Sequence, residues 1–480
     1  MSQVSKNIFW LSISRVLALV LLFAAYTQLF RYLGPYTSGQ YQFVLSYVLI
    51  FAIVSDFGIQ QFITKKMSED PDNTKKYFQN FLGFEFLLSL CLYGSLIGIA
   101  RLKGLSPEVF AGIAVAGLGM AANALTFPFL AVMTSRQDLR RVALINFINS
   151  LVNVLIIFSA VYFKKHIVFL ASVQLVFGVV DLVLYRIFIK RHLPEPGVLE
   201  SIRRLDLGLV SGILKSAWPF VLLVGFSAVY NRIDVIIITQ FLNYTQTGLY
   251  TAAYKFFDLL AFFPSLVSHV LFPVFAGLMA KKALGEVRYN LEKYLKLMIA
   301  AALPMAAGGA VLAKPLIVLV AGKDFASAAP VLAVLVWAIA ILFIYIPLNS
   351  LVISQLTKNA AAVTGANVAI NVIGNLVLVP RYGIMAAAAM TVISESIQGC
   401  FYFYFVKKRI TGFAFAGNLV KPAFASLLMA VVLWQVRGYG LLLALPVGAA
   451  VYALTLLATG FVAKEDIGLI RRLLTKSDAA

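Results

Sequence analysis

Two oppositely charged side chains interrupt the stretch YNRIDVIIIT, residues 230–239, which is otherwise strongly apolar. Arg232 and Asp234 are two positions apart, so on a helix their side chains point about 200° away from each other. They cannot neutralise one another, and each therefore needs its own partner. A buried arginine is suited to binding an anionic group, and a buried aspartate is suited to taking up a proton or a sodium ion.

Other ionisable side chains lie in similar surroundings. Eleven Asp, Glu, Lys and Arg residues fall inside segments that are apolar enough to span a membrane. Each would cost about 3 kcal/mol at the centre of an isolated span, so together they must face one another or a water-filled cavity. They are Arg15, Asp56, Glu85, Asp181, Arg186, Arg232, Asp234, Lys255, Asp258, Lys314 and Glu395.

Counting about 1.5 Å per residue from the ends of the spans groups seven of these charges at two depths, and places Glu395 near the midplane. Three lie toward the cytoplasmic side, Arg15, Asp56 and Glu85, and four toward the outer side, Arg232, Asp234, Lys255 and Asp258. We expect one of Arg232 and Asp234 to face Lys255 or Asp258 and the other to face a cavity. Arg186 and Lys314 are expected to extend to a membrane interface, accompanied by Asp181.

Two pairs of asparagines add polarity inside the spans. Asn149 and Asn153 share one helix face at i,i+4 spacing, as do Asn371 and Asn375. We expect these four side chains to line a polar lumen. For any single polar residue, a buried network that only fixes helix packing is an equally good interpretation, whereas the whole set favours a lumen.

The composition defines the elements that must position these residues. Of 480 residues, 61% are hydrophobic and 12% are charged, against about 25% charged in soluble proteins. Apolar windows of roughly 20 residues predict fourteen transmembrane helices. Their bounds are 8–29, 41–63, 78–100, 109–133, 142–163, 166–189, 216–239, 249–277, 294–320, 328–354, 360–379, 384–406, 420–436 and 439–463.

The net charge of +20 comes from basic residues whose distribution along the chain fits a membrane protein. With the N-terminus in the cytoplasm, 27 of the 40 Lys and Arg residues fall on cytoplasmic segments and span ends, and eight fall on external segments. This asymmetry predicts a multi-pass protein of the cytoplasmic membrane with both termini inside. It argues against a nucleic-acid partner, because no soluble domain carries clustered basic charge.

A weak internal repeat suggests how the spans are arranged. TQLFRYLGPYTSGQY and TQFLNYTQTGLY each place Gly-x-Tyr at the start of a span, at Gly39 and Gly248, and the asparagine pairs repeat six spans apart as well. The sequence therefore predicts two six-helix bundles in parallel repeat, residues 1–200 and 201–412, with an extra helix pair and a tail at 413–480.

Two stretches carry a resemblance to a known family. TGLYTAAYKFFD contributes Gly248, Tyr250, Ala253 and Lys255, and NLVLVPRYGIMAAAAMTVISE continues the Asn371 and Asn375 pattern through Pro380, Tyr382, Gly383 and Ala386. On these motifs and the span count, the chain resembles the polysaccharide-transporter branch of the multidrug/oligosaccharidyl-lipid/polysaccharide exporter superfamily, which includes the Wzx-type O-antigen flippases.

The resemblance implies a V-shaped pair of bundles with a central cavity and a polyprenyl-diphosphate-linked oligosaccharide as substrate. Arg15, Arg232 and Lys255 would then bind the diphosphate, and Asp56, Glu85, Asp234, Asp258 and Glu395 would serve in coupling to H⁺ or Na⁺ or in ion pairs. Expected partners are this lipid-linked sugar, membrane lipids, and polysaccharide polymerase and chain-length machinery.

Other functions remain open from the sequence. A cation-coupled multidrug exporter and a lipid II flippase belong to the same superfamily. A membrane glycan polymerase or ligase is disfavoured because the longest segment between spans has about 26 residues and is cytoplasmic. The sequence thus predicts a transporter rather than an enzyme, with no catalytic residue, cofactor or metal site. It leaves open whether the extra helix pair holds a lipid tail or only stabilises the bundle.

Overall fold

The computed structural model describes residues 3–56, 59–191, 197–410 and 412–461, with side chains except at 3–20, 56, 213, 216–229, 231, 357, 358, 409 and 416. Every regular element in these ranges is helical, so the predicted all-α class is confirmed. The α-helices are α1 (Gln3–Asp56), α2 (Ile59–Glu69), α3 (Thr74–Leu102), α4 (Pro107–Ala124), α5 (Phe127–Ser135), α6 (Leu139–Tyr162), α7 (Ile167–Ile189), α8 (Val198–Arg203), α9 (Leu207–Phe241), α10 (Tyr244–Ala280), α11 (Leu284–Val311), α12 (Ala313–Ala321), α13 (Ala329–Gln355), α14 (Thr357–Tyr382), α15 (Ile384–Arg409), α16 (Ala416–Val436) and α17 (Leu441–Ala458).

Twelve helical segments in the described part of the chain are long and apolar enough to cross a membrane, so the chain is a multi-pass membrane protein. The first predicted span and most of the second lie in α1, which is sharply kinked at Gly34, and the end of the second lies in α2. Gly34 has φ 68° and ψ 176°, a conformation that glycine adopts without a Cβ clash, and Pro35 follows it. The seventh predicted span lies in α9, where many side chains are outside the described set. The count of fourteen stays a prediction.

The fourth and ninth predicted spans are also each built from two helices. The fourth consists of α4 and α5, which meet at residues 125–126, and the ninth consists of α11 and α12, which meet at Leu312. Pro128 and Pro315 lie in the first turn of the second helix of each pair. Proline is tolerated there because the first N–H groups of a helix have no partner within it. A hydropathy window cannot detect such a break, because the segment as a whole stays as apolar as an unbroken helix.

Contacts divide the chain into two compact units, Met1–Gly248 and Leu249–Ala480. In the first unit, α4 and α7 run side by side in the same direction with almost no side chain between them. A Cβ at Gly119 would overlap the backbone of Gln174, and a Cβ at Gly178 would lie 2.6 Å from the Cβ of Ala122. Small residues therefore set this packing, as is common between membrane helices.

A second close approach in the first unit involves the two glycines of the predicted repeat. A Cβ at Gly39 would overlap the carbonyl oxygen of Tyr244 and lie 2.9 Å from the backbone nitrogen of Gly248. A Cβ at Gly248 would overlap the carbonyl oxygen of Pro35 and lie 3.1 Å from the nitrogen of Gly39. The contact is reciprocal, and it brings the backbones of α1 and α10 together at the start of the repeated segments.

The second unit has its core among α10, α11, α13 and α15, where Leu271, Leu295, Leu351 and Tyr402 are buried. Helix α14 packs on α15, α16 packs on α11, and α17 packs on α16. The hydroxyl of Tyr452 on α17 donates to the carbonyl oxygen of Ala300 on α11 at 2.7 Å. The predicted extra helix pair is thus attached to the body of the second unit. The domain limits at residues 200 and 412 stay predictions.

Candidate functional site

The predicted charged residues of the first unit lie on α1, α3, α7 and α9. Arg15 and Asp56 are on α1 but fall outside the residues whose side chains are described. Glu85 on α3 is fully buried, and the hydroxyl of Ser55 on α1 donates to its Oε2 at 3.2 Å. The structure therefore places Glu85 against the turn of α1 that carries Asp56, and the predicted depth of the two in the membrane stays a prediction.

Arg232 and Asp234 differ in their surroundings, as their spacing on α9 requires. Asp234 is buried, and its Oδ1 accepts from the backbone N–H of Val235 at 2.8 Å. Arg232 is only half-buried. In the second unit, Lys255 and Asp258 form an ion pair on α10, with 3.4 Å between Nζ and Oδ2. The predicted division of partners between Arg232 and Asp234 stays a prediction.

A carboxylate–amide cluster in the first unit joins three helices through Asp181, Asn149 and Asn123. The Nδ2 of Asn149 on α6 donates to Oδ1 of Asp181 on α7 at 2.7 Å, and the Nδ2 of Asn123 on α4 donates to Oδ2 at 3.4 Å. Asp181 is 7% exposed. The expectation that Asp181 accompanies Arg186 to an interface is therefore wrong, because two amide donors hold it inside the unit.

Sequence reasoning missed Asn123 altogether and misplaced Asp181. Asp181 lies eight residues before the end of α7, about 12 Å along the helix, which is too deep for a short side chain to reach an interface. This distance from the end of the span could have shown from the sequence that Asp181 lies inside the protein. Asn153, predicted to share the face of Asn149, is half-buried on the same helix.

Replacing Asp181 by alanine is expected to lower the free energy of unfolding by about 2 kcal/mol, because two half-buried amide donors lose their acceptor. Asp324→Ala, at an exposed position, is the matched control and should change stability by less than about 0.5 kcal/mol. Thermal unfolding in one detergent measures both variants. Equal stability of the two variants would mean that the cluster does not hold the three helices together.

Three asparagines on α14 form a buried polar stripe in the second unit. Asn367, Asn371 and Asn375 follow one another at intervals of four residues, and all three are buried. Asn375 donates to Asn371 Oδ1 at 3.0 Å, Asn371 donates to Ser394 on α15 at 3.1 Å, and Asn367 donates to Gln398 on α15 at 2.6 Å. The sequence analysis identified Asn371 and Asn375 and missed Asn367, which continues the same spacing by one turn.

Glu395 lies one residue beyond Ser394 and is 3% exposed. The hydroxyl of Tyr345 on α13 donates to its Oε2 at 2.6 Å. This oxygen–oxygen distance is at the short end of the usual range for hydroxyl donors. The carboxyl group predicted near the midplane is thus bonded to a neighbouring helix within the same unit.

The second unit also contains an apolar cavity of about 480 Å³. Its walls come from α10, α11, α12, α13, α16 and α17, so both helices of the extra pair contribute. The lining is almost entirely aliphatic and aromatic, and includes Leu260, Met305, Val336, Met429, Leu445 and Ala449. Glycines at 308, 309 and 448 widen it. A cavity of this size and character suits a hydrocarbon chain or another apolar ligand.

The fold is that of a helical, multi-pass membrane protein. The structure is similar to a lipid II flippase MurJ in an inward closed conformation, with a TM-score of 0.74 and 16% identity, covering 93% of this chain and 97% of that one. It is also similar to an inward-facing multidrug resistance MATE family transporter of the MOP superfamily, with a TM-score of 0.60 and 14% identity, covering 84% and 98%. A mutant of the Vibrio cholerae MATE transporter VcmN is similar as well, with a TM-score of 0.55 and 15% identity, and the match covers 85% of this chain and 98% of that one.

The sequence comparisons identify the family. The model of the family described as polysaccharide biosynthesis protein matches residues 4–279, so this chain belongs to that family. An uncharacterized membrane protein of Methanocaldococcus jannaschii is 26% identical over 263 residues, which are 52% of this chain and 51% of that protein. The chain thus spans about half the length of the curated relative that it matches. The predicted membership of the exporter superfamily is confirmed.

Proposed function

We propose that the protein is a flippase that moves a polyprenyl-diphosphate-linked oligosaccharide, such as an O-antigen or another surface-polysaccharide repeat unit, across the cytoplasmic membrane by alternating access. The observation that carries this proposal is the apolar cavity built with the extra helix pair. A lipid-linked sugar needs a polar path for its head and an apolar place for its tail. The apolar cavity supports the second requirement. The asparagine stripe on α14 is buried against α15 here, so it would have to open to a lumen during the transport cycle to meet the first.

The cationic side chains have a role in this proposal. Arg15, Arg232 and Lys255 attract the diphosphate, because charge-assisted bonds to phosphate are strong where water is scarce. Outward movement of about two negative charges is also favoured by the membrane potential, by roughly 4 to 5 kcal/mol per 100 mV. The candidates for coupling to H⁺ or Na⁺ are the carboxyl groups of Asp56, Glu85, Asp234, Asp258 and Glu395. Because the membrane potential already favours outward movement of the diphosphate, transport does not require this coupling.

The polar lumen would be lined by Asn149, Asn153, Asn371 and Asn375. Neutral amides can both donate to and accept from sugar hydroxyls, so they bind a glycan without fixing a counter-ion. Asp181 and Ser394 hold two of these amides in place through the bonds to Asn149 and Asn371. Membrane lipids, and the polymerase and chain-length machinery that would use the product, are the proposed partners.

Lys255→Gln is expected to reduce glycan export at least about tenfold, since one charge-assisted phosphate contact is worth roughly 1.5 to 3 kcal/mol. The variant also breaks the ion pair with Asp258, and the double variant Lys255→Gln/Asp258→Asn separates the two effects. If lysine binds substrate, the double variant stays defective. If lysine only neutralises Asp258, the double variant recovers. Exposed Lys314→Gln serves as the control and should export normally.

Reconstitution tests the proposed function itself. Purified protein in vesicles should move a fluorescent polyprenyl-diphosphate oligosaccharide between leaflets, faster with the interior negative. Efflux of cationic drugs without lipid movement would support the multidrug exporter instead. Movement of lipid II but not of other lipid-linked sugars would support a lipid II flippase. Joining of glycans by the protein alone would support the polymerase or ligase alternative.

A further inference from the structure

Two hairpin tips in the first unit carry an unusual concentration of positive charge. On the predicted topology, eight Lys and Arg residues lie on external segments, and four of them occur on just two tips: Arg101 and Lys103 between α3 and α4, and Lys164 and Lys165 between α6 and α7. The other four, Arg31, Lys323, Arg381 and Arg437, occur singly on four different segments. External loops of membrane proteins usually carry few basic residues, so a cluster of this kind needs a separate explanation.

The packing of α4 and α7 brings the two tips together. A Cβ at Gly112 would lie 3.2 Å from Cγ2 of Ile167, the first residue of α7, and Gly119 lies against Gln174 one step further along. This register places the start of α7 beside the second turn of α4, about 7 Å along the helix from its first residue. Because α4 and α7 run in the same direction, the four basic residues lie at the same end of this helix pair.

Both tips are tight turns with a bonded backbone. The N–H of Lys103 donates to Ile99 at 3.1 Å, and the N–H of Lys165 donates to Ala160 at 2.8 Å. All four basic residues are exposed. Lys103 Nζ donates to the neutral side chain of Gln240 at 2.8 Å, which holds its position and leaves its charge uncompensated by that partner.

The neighbours of these charges suit a membrane surface. Leu102, Tyr162 and Phe163 on the same two tips are 88%, 81% and 62% exposed. Aromatic and aliphatic side chains next to lysine and arginine are typical of the headgroup level, where rings and side-chain stems contact lipid. The one acidic residue of the two tips, Glu108, is exposed and leaves the surface strongly positive.

We propose that these two tips form a binding surface for the phosphate headgroups of anionic phospholipids in the outer leaflet. The basic residues contact the phosphates, and Leu102, Tyr162 and Phe163 contact the adjoining lipid. Because the tips belong to α3, α4, α6 and α7, bound lipid would fasten the outer end of these four helices. This role is independent of what the protein transports.

The test compares two variants that lose the same charge. The first is R101Q/K103Q/K164Q/K165Q, and the control is R31Q/K323Q/R381Q/R437Q, which removes the four scattered external bases. Binding of phosphatidylglycerol relative to phosphatidylcholine is measured by titrating each lipid and counting bound molecules by native mass spectrometry. Since one basic residue near a membrane contributes about a fivefold preference before salt screening, the tip variant should lose about tenfold or more. The control should stay within about twofold of the wild type.

Three results would overturn the proposal: no change in the tip variant, an equal loss in the control, or displacement of the lipid by inorganic phosphate alone. Equal loss would show that only net charge matters. Displacement by inorganic phosphate would show a free-anion site instead of a lipid surface. If the fourfold variant does not fold, R101Q/K103Q and K164Q/K165Q are measured separately, and each should lose part of the preference.

Discussion

Gly39→Ala is expected to destabilise the folded protein by about 3 kcal/mol or more, and to leave little of it in the membrane. The added Cβ would occupy the position of the Tyr244 carbonyl oxygen, which is backbone and cannot rotate away. Overpacking that neighbouring side chains can relieve costs about 1 to 3 kcal/mol, so a clash with backbone should reach the top of that range or exceed it. Either the two helices separate or the variant fails to fold.

Gly98→Ala is the matched control, because Gly98 lies on α3 with nothing within 4 Å of an added Cβ. It should be neutral or stabilising by up to about 1 kcal/mol, the difference in helix propensity between glycine and alanine. The yield of detergent-solubilised protein and its unfolding temperature are measured for Gly39→Ala and for Gly98→Ala. Gly248→Ala should resemble Gly39→Ala, and the double variant should be less than additive since both residues serve one contact. Wild-type stability of Gly39→Ala would show that the crossing can open at little cost.

Ala449→Trp is expected to reduce transport of a long-chain lipid-linked sugar at least about tenfold. Ala449 lines the apolar cavity of the second unit and is exposed, so the indole can enter the cavity without displacing the helices. A filled cavity can no longer accept a hydrocarbon chain, and a loss of about 1.4 kcal/mol in binding corresponds to tenfold.

Ala450→Trp provides the control at the next position of α17, which is exposed and points away from the cavity lining. It should transport normally at the same expression level. A substrate analogue with a short tail should be affected less by Ala449→Trp than the long-chain substrate, because it depends less on the cavity. If both variants are fully active with the long chain, the tail does not use this cavity, and α16 and α17 only stabilise the unit.

Much of the fold could be predicted because its signals are local in the chain. A membrane helix satisfies its own backbone hydrogen bonds, so an apolar run of sufficient length must be helical whatever surrounds it. The bounds of α6, α7, α13 and α15 accordingly lie within a few residues of the predicted spans. The asparagine spacing is local as well: i,i+4 positions are neighbours on any helix, and Asn375 does donate to Asn371.

The candidate site was predictable only in part. Hydropathy identified Glu85, Asp234 and Glu395 as charges inside apolar spans, and the structure buries all three side chains. Their roles in coupling or in ion pairs stay predictions. The partners of Glu85, Asp181 and Glu395 could not be read from the chain, because they lie on other helices. Ser55, Asn123 and Tyr345 donate to these three carboxyl groups from 30, 58 and 50 residues away, in that order. Such pairs depend on how each helix is rotated about its axis. A helix that is apolar on most of its surface can be buried in several rotations, so its sequence does not specify one.

The sequence by itself determined that this protein is a bundle of membrane helices with polar residues at particular depths, since helix formation and burial in lipid depend on short stretches of chain. Only the tertiary structure decided which of those residues meet, that Asp181 points inward, and that Gly39 and Gly248 share a backbone contact. The physical reason is that helices packed in lipid are held by close fit and by hydrogen bonds between distant segments, and a fit exists only once both surfaces are in place.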